Sequence, residues 1–174
     1  MGRYFELEDP TAVDAVGVEL RLETMLEGTG GLAPVHLRGI IDRLDLEPDG
    51  SLVVVDYKTG RAPSPGRERE KMAGVETYAL LCERALGVRP IAVRLLYLRS
   101  PVVVEREVLP SAVRRQERRT VEVWRAITRA HEHGSFRPSP GPLCGYCAFA
   151  DRCEAAPPEA AARAASRAVV AAAS

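Results

Sequence analysis

Asp42, Asp56 and Lys58 fall within two largely apolar runs between residues 39 and 60, GIIDRLDL and VVVDYKTG. Charge inside a segment suited to burial needs a partner or a task. Two carboxylates brought close repel and desolvate one another, and a divalent cation removes that cost. Mg²⁺ favours one or two carboxylates, with water and a substrate phosphate completing its shell. The backbone carbonyl of Tyr57, between Asp56 and Lys58, is a candidate third ligand. A lysine at such a centre can orient or deprotonate a water and offset charge developing on a phosphoryl group. The chemistry such a set supports is phosphodiester hydrolysis without a covalent intermediate. D-x-K alone is a weak pattern, equally suited to an ion pair on an exposed hairpin.

A second constellation lies near the C-terminal end. Cys144, Cys147 and Cys153 fall on one compact loop introduced by FRPSPGPL, and soft thiolates at this spacing suit an iron–sulfur cluster or zinc. His131 and His133 are the competitors for completing a zinc site, against the plainer reading of a solvated helix end. Cys82, at helical spacing from Tyr78, reads as a small buried hydrophobe.

The elements that would carry the first set are legible. Residues 17–26 and 35–47 alternate as strands around the turn GTGG, and residues 51–58 form a third strand. Between the last two, Pro48-Asp49-Gly50 has proline preset for a type I turn and glycine where a left-handed residue is needed. A three-residue loop sets Glu47 against Ser51 and, continued along the hairpin, Asp42 against Asp56, with Cβ atoms roughly 5 Å apart, whereas a two-residue Asp-Gly turn would set Asp42 against Tyr57. Lys58 shares a face with Asp56 by the two-residue period. After a loop reaching Gly66, helical spacing predicts a helix over residues 68–86. Strands follow at 91–98 and 102–108, then a helix capped by Ser111 and running to 132. The fold class is α/β, a mixed β-sheet flanked by α-helices. Residues 1–154 read as a single domain, its cysteine segment occupying 134–154, followed by an alanine-rich tail or marginal helix over 155–174.

Composition sets the outer bounds. The chain has 174 residues, 46% hydrophobic and 28% charged, enough for one globular core, and its 24 basic and 24 acidic residues cancel. Any affinity for nucleic acid must therefore be local or metal-borne. No apolar run approaches a membrane span and residues 1–10 lack a signal peptide, so a cytoplasmic location is expected.

Taken together, GIIDRLDL, VVVDYKTG and a following helix with ETYALL resemble the PD-(D/E)XK nuclease superfamily. Within it the RecB-like exonuclease branch fits best, with its G-x-x-D-R-x-D, V-x-D-Y-K-T-G, helical Q-x-x-x-Y-A and C-terminal cysteine pattern. The resemblance covers roughly residues 17–153. It implies a restriction-endonuclease-like core and a divalent-metal-dependent DNA nuclease of recombination or repair, working with Mg²⁺ or Mn²⁺. A helicase or other repair partner is left unidentified. Asp42 and Asp56 would be the metal carboxylates, Lys58 the catalytic lysine, and Tyr78 the helix tyrosine near the site or the nucleic-acid backbone. In the full-length protein the cysteines would hold a [4Fe–4S] cluster that ties this segment to an N-terminal cysteine, with zinc as the alternative. Among basic residues near the site, Arg43 and Arg61 are the choices for meeting phosphate, in preference to Arg94 or the run RRQERR on the last helix. Two departures stand out. Gly74 occupies the position of the family's glutamine, and the upstream helix with a further ligand and a first cysteine is absent, so the chain is expected to be a fragment. The alternatives are a CRISPR-adaptation-type nuclease and an inactive nucleic-acid-binding module of the same fold.

Overall fold

The computed structural model describes residues 2–63 and 68–172, so the end of the loop expected to reach Gly66 lies outside the described residues. The chain divides into two compact units, Met1–Ile127 and Thr128–Ser174. In the first, five strands make one sheet in the order β1 (Ala15–Leu26), β2 (Val35–Leu46), β3 (Leu52–Lys58), β4 (Ala92–Tyr97), β5 (Val102–Glu107). Neighbours pair antiparallel except β3 and β4, which are parallel and joined by the crossover helix α1 (Glu68–Leu86). A parallel pair demands a connection of this length, which is why a helix stands between two short hairpins. Helix α2 (Pro110–Glu132) starts one residue before the expected cap, with Pro110 in the first turn, where its missing N–H costs nothing.

One face of the sheet packs on helices. Leu22, Leu26, Val35, Leu44, Val54, Val93 and Leu95 meet Val75, Ala79, Leu80 and Cys82 of α1 and Val113 and Val121 of α2 in a single core. Cys82 is fully buried, and its apolar surroundings push the thiol up to about 12, as fits a packing residue. Gly39 of β2 allows α1 to lie this close: a Cβ there would stand 2.8 Å from Leu81 Cδ1 and 3.6 Å from Tyr78 Cε1.

The β2–β3 turn has the anticipated form. Glu47 N–H donates to Ser51 O at 2.8 Å, Gly50 N–H donates to Glu47 O at 2.8 Å, and Gly50 takes a φ of 83°. The ladder runs Leu46↔Leu52, Asp45↔Val53, Leu44↔Val54, Arg43↔Val55 and stops there. On the other side of β2, β1 pairs Val18 with Arg43 and Leu20 with Ile41 but skips Glu19 and Asp42. Glu19 has a φ of 49°, the one left-handed non-glycine among the described residues. Beyond this point the inward phase of β2 changes. Val35, Leu37, Gly39 and Ile41 alternate toward α1, and then Leu44, three residues on, is the next in that core.

The opposite face carries Val53, Val55, Ala92 and Leu96, packed by Leu7 and Tyr57. Here the N-terminal segment is clasped by Arg43. Its Nη1 and Nη2 donate to the Glu8 carboxylate at 2.6 and 2.8 Å, its Nε and Nη2 to Asp45 at 2.7 and 2.9 Å, and Nη1 also to the Tyr57 hydroxyl. Burial opposes the Arg43 charge, but the two carboxylates outweigh it and hold its pKa above the usual arginine range. Hydrogen bonding from Arg43 in turn pulls Glu8 below the glutamate range despite burial.

The second unit is built on turns Pro142–Tyr146 and Ala150–Arg152 followed by α3 (Pro158–Ala172). The alanine-rich tail thus contains a helix, docked through Ala160 and Ala164 on Ala150. No helix among the described residues is long and apolar enough to cross a membrane.

A carboxylate whose folded pKa is depressed contributes stability above its unfolded pKa and loses it as pH falls through the folded value. Glu8→Gln should therefore lower unfolding free energy by about 2 kcal/mol at neutral pH. The gap to wild type should close as pH falls below about 4. Denaturant melts across this range provide the check.

Candidate active site

Asp42, within β2, and Asp56 and Lys58, at the end of β3, come together on the helix-covered side of the sheet near Tyr78. Asp56, only 3% exposed, lies with Oδ2 2.5 Å from Lys58 Nζ, and this oxygen receives no well-angled hydrogen bond among the described residues. Asp42 Oδ2 accepts the Tyr57 N–H at 2.9 Å, taking over where the main-chain ladder has ended. In a strand a residue's N–H and C=O point to the same neighbour, so the Tyr57 carbonyl is aimed toward the gap that Asp42 occupies.

The electrostatics show how closely these groups sit. Burial pushes the Asp56 carboxyl up, Lys58 draws it partly back, and the Asp42 charge raises it further. For Lys58, burial works against the ammonium, but Asp56, with Tyr78 and Asp42 in support, wins and raises its pKa. Lys58 is therefore a cation at neutral pH in this arrangement, suited to charge stabilisation. Burial raises the Tyr78 hydroxyl, the Asp56 and Asp42 charges add to this, and Lys58 opposes them. The phenol therefore faces both carboxylates, on the helix that Gly39 admits to the sheet.

Does this set fit a divalent metal? Two carboxylates share the one ammonium of Lys58, and the buried Asp56 carboxyl stays raised despite that pairing, an excess of negative charge that a cation would relieve. The donors are two, short of three grouped His, Cys, Asp or Glu side chains among the described residues. Such a half-shell suits Mg²⁺ or Mn²⁺, which keep water and substrate oxygens as ligands, and does not suit a closed zinc cage.

Other expected residues are placed differently. Arg43, proposed to meet phosphate, is 5% exposed, on the opposite face from Asp42, with its nitrogens committed to Glu8, Asp45 and Tyr57. Strand alternation is the cause: neighbours of a facing residue point away. Arg94 is likewise held by Glu105 at 2.6 Å and Glu47 at 3.3 Å. Arg61 is exposed, three residues beyond Lys58, with no partner among the described residues. Gly74 is exposed on α1, and a Cβ there meets nothing within 4 Å.

Nor does the cysteine loop form a metal site. Cys144, Cys147 and Cys153 are free thiols in consecutive tight turns, Cys144 packing on the alanines of α3 and Cys147 exposed. Since no three candidate ligands are grouped among the described residues, these cysteines, even with His131 and His133, do not fit a [4Fe–4S] cluster or zinc as placed. Sequence reading missed Glu8, whose partner is 35 residues away and which no local pattern marks. Asp45 was more accessible, since two residues from Arg43 it must share its face.

Residues 1–154 match the PD-(D/E)XK nuclease superfamily. The chain belongs to that superfamily. The fold agrees: the crystal structure of SSO0001 is similar with a TM-score of 0.52 at 16% identity, over 88% of this chain. At that identity the likeness concerns fold alone, and this chain spans 66% of that one's length. No curated protein matches significantly.

Removing the buried charge should stabilise the metal-free protein. Asp56→Asn is expected to raise Tm by about 2–4 °C in chelator, equivalent to roughly 1 kcal/mol. Saturating Mn²⁺ should raise the wild-type Tm and leave Asp56→Asn unmoved. Differential scanning calorimetry with and without metal tests both.

Proposed function

We propose that this chain is a divalent-metal-dependent deoxyribonuclease of RecB-like exonuclease type, acting on DNA in the cytoplasm during recombination or repair. The observation that carries the reading is the buried Asp56 carboxylate, paired with Lys58 and raised by the neighbouring Asp42 charge. Asp42, Asp56 and the Tyr57 carbonyl would hold Mg²⁺ or Mn²⁺. When bound, such an ion polarises a phosphoryl oxygen and lowers the pKa of a coordinated water.

The protein's own groups account for the rest. Asp42 and Asp56 orient the scissile phosphate by fixing what it binds to. Lys58, charged and half exposed, reaches the oxygens on which negative charge grows as the water oxygen bonds to phosphorus and the ester oxygen departs. Tyr78 closes the helix side and offers a hydroxyl donor to a phosphate oxygen, having no hydrogen bond among the described residues. Arg61, exposed three residues beyond Lys58, is the group assigned to an adjacent phosphate. Gly74 favours a second reading, a weakened enzyme or an inactive nucleic-acid-binding module, because the position where the resembled branch has glutamine carries no side chain.

Degradation of labelled DNA in Mn²⁺ or Mg²⁺ decides between these. Wild type should be active, and Asp56→Ala and Lys58→Ala should each lose on the order of a hundredfold or more in kcat; equal rates in all three would refute the site. Gly74→Gln should increase DNA cleavage. It should also stabilise α1 by about 0.5–1 kcal/mol, since the new side chain meets open space and replaces a helix-interior glycine.

A further inference from the structure

With Arg43 and Arg94 consumed by ion pairs, Arg61 is left as the basic residue beside the site for phosphate, and α2 carries a further cluster of positive charge. A groove of about 680 Å³ runs between α2, Arg84 near the end of α1, and the β1–β2 turn at Glu27 and Thr29. Its walls are tied: Arg84 pairs with Glu117 at 2.6 Å, while Arg125 donates to the Thr29 carbonyl at 2.7 Å and to Glu122 at 2.9 Å. Arg115 reaches Glu76 only at 3.8 Å. After these pairings Arg114, Arg118 and Arg119 stand exposed without a partner among the described residues, against the unpaired Glu27. In a chain whose total charge is zero, three free guanidiniums on one groove make a local positive field.

From this placement we infer that the α2 groove is an exosite for the phosphate backbone of the DNA cut at the active site. The inference rests on the nuclease reading above and extends it by saying where the substrate runs. Arg114 and Arg118 are one helical turn apart, about 6 Å along the axis, and present forked donors suited to phosphate oxygens. No aromatic side chain lines the groove and Val121 at its base is buried, so a protein partner would find no apolar anchor there. A nucleic acid needs none, since backbone contacts are made by charge. Tyr78 at the active site and Arg84 at the groove are six residues apart on α1, about 9 Å along its axis, roughly the rise of three base pairs. Around that axis the two side chains stand about 120° apart, so a strand running from the active site to the groove would turn about α1 as it goes.

The test uses the full chain carrying Arg114→Gln, Arg118→Gln and Arg119→Gln together, and separately Glu27→Gln. Fluorescence anisotropy with a labelled DNA oligonucleotide in chelator measures affinity across a salt series, and hydrolysis of bis(p-nitrophenyl) phosphate in Mn²⁺ reports the active site alone. The triple variant should bind at least about tenfold more weakly near 0.1 M salt. Its slope of log K against log salt should be shallower by about 2–3, with small-ester hydrolysis unchanged. Glu27→Gln should bind more tightly. Unchanged affinity and salt slope in the triple variant would overturn the exosite. Were wild type to hydrolyse neither ester nor DNA while the triple variant still lost binding, the nuclease reading alone would fail.

Discussion

The hydrogen bond from the Tyr57 N–H to the Asp42 carboxylate is the constraint on which the site depends. Up to Arg43 and Val55 the two strands are held by main-chain bonds. One step further, continued pairing would crowd two carboxylates against the single ammonium of Lys58. A side chain takes over the donor that the ladder would have used, fixing one Asp42 oxygen and opening a gap toward which Asp56 and the Tyr57 carbonyl are directed. Lys58 lies at its rim, and Tyr78 is brought over it because β2 has a glycine beneath α1.

The reverse face answers that opening. Arg43 and Tyr57 each follow a site aspartate directly in sequence, and their side chains bond to one another across the same two strands. Glu8 and Asp45 hold the guanidinium in place, and the Tyr57 ring lies 5.5 Å beneath it. The strands are thus cross-linked from behind where the ladder has stopped in front. Truncating one member would leave buried charge without its partner, a larger loss than the cluster's net contribution to stability.

Much of this was readable because local chemistry dictated it. Asp49 and Gly50 specify the turn, the turn specifies the register, and the register sets Asp42 against Asp56. The apolar runs gave the strands to within a residue or two. Arg43 was misjudged although the period-two rule, applied to it as to Lys58, sends it to the far face. Glu8 had no signal, since ion pairs between distant segments follow from tertiary packing alone. Cysteine spacing described a motif but not whether three thiols converge. The helix in the tail drew on contacts among small side chains, which leave no strong periodicity.

The left-handed backbone at Glu19 has a consequence for chirality and side. Had β2 kept strict alternation from Val35 through Ile41, residue 42 would point with Arg38 and Ile40, away from α1. The ladder instead skips Glu19 and Asp42, and beyond them the inward phase is that of Leu44, Val54 and Asp56. The pairing register is the same on either side of the skipped pair, so both strands change phase together, and that change turns an outward carboxylate into an inward one. The handedness of a single residue on the edge strand marks which side of the sheet the site occupies.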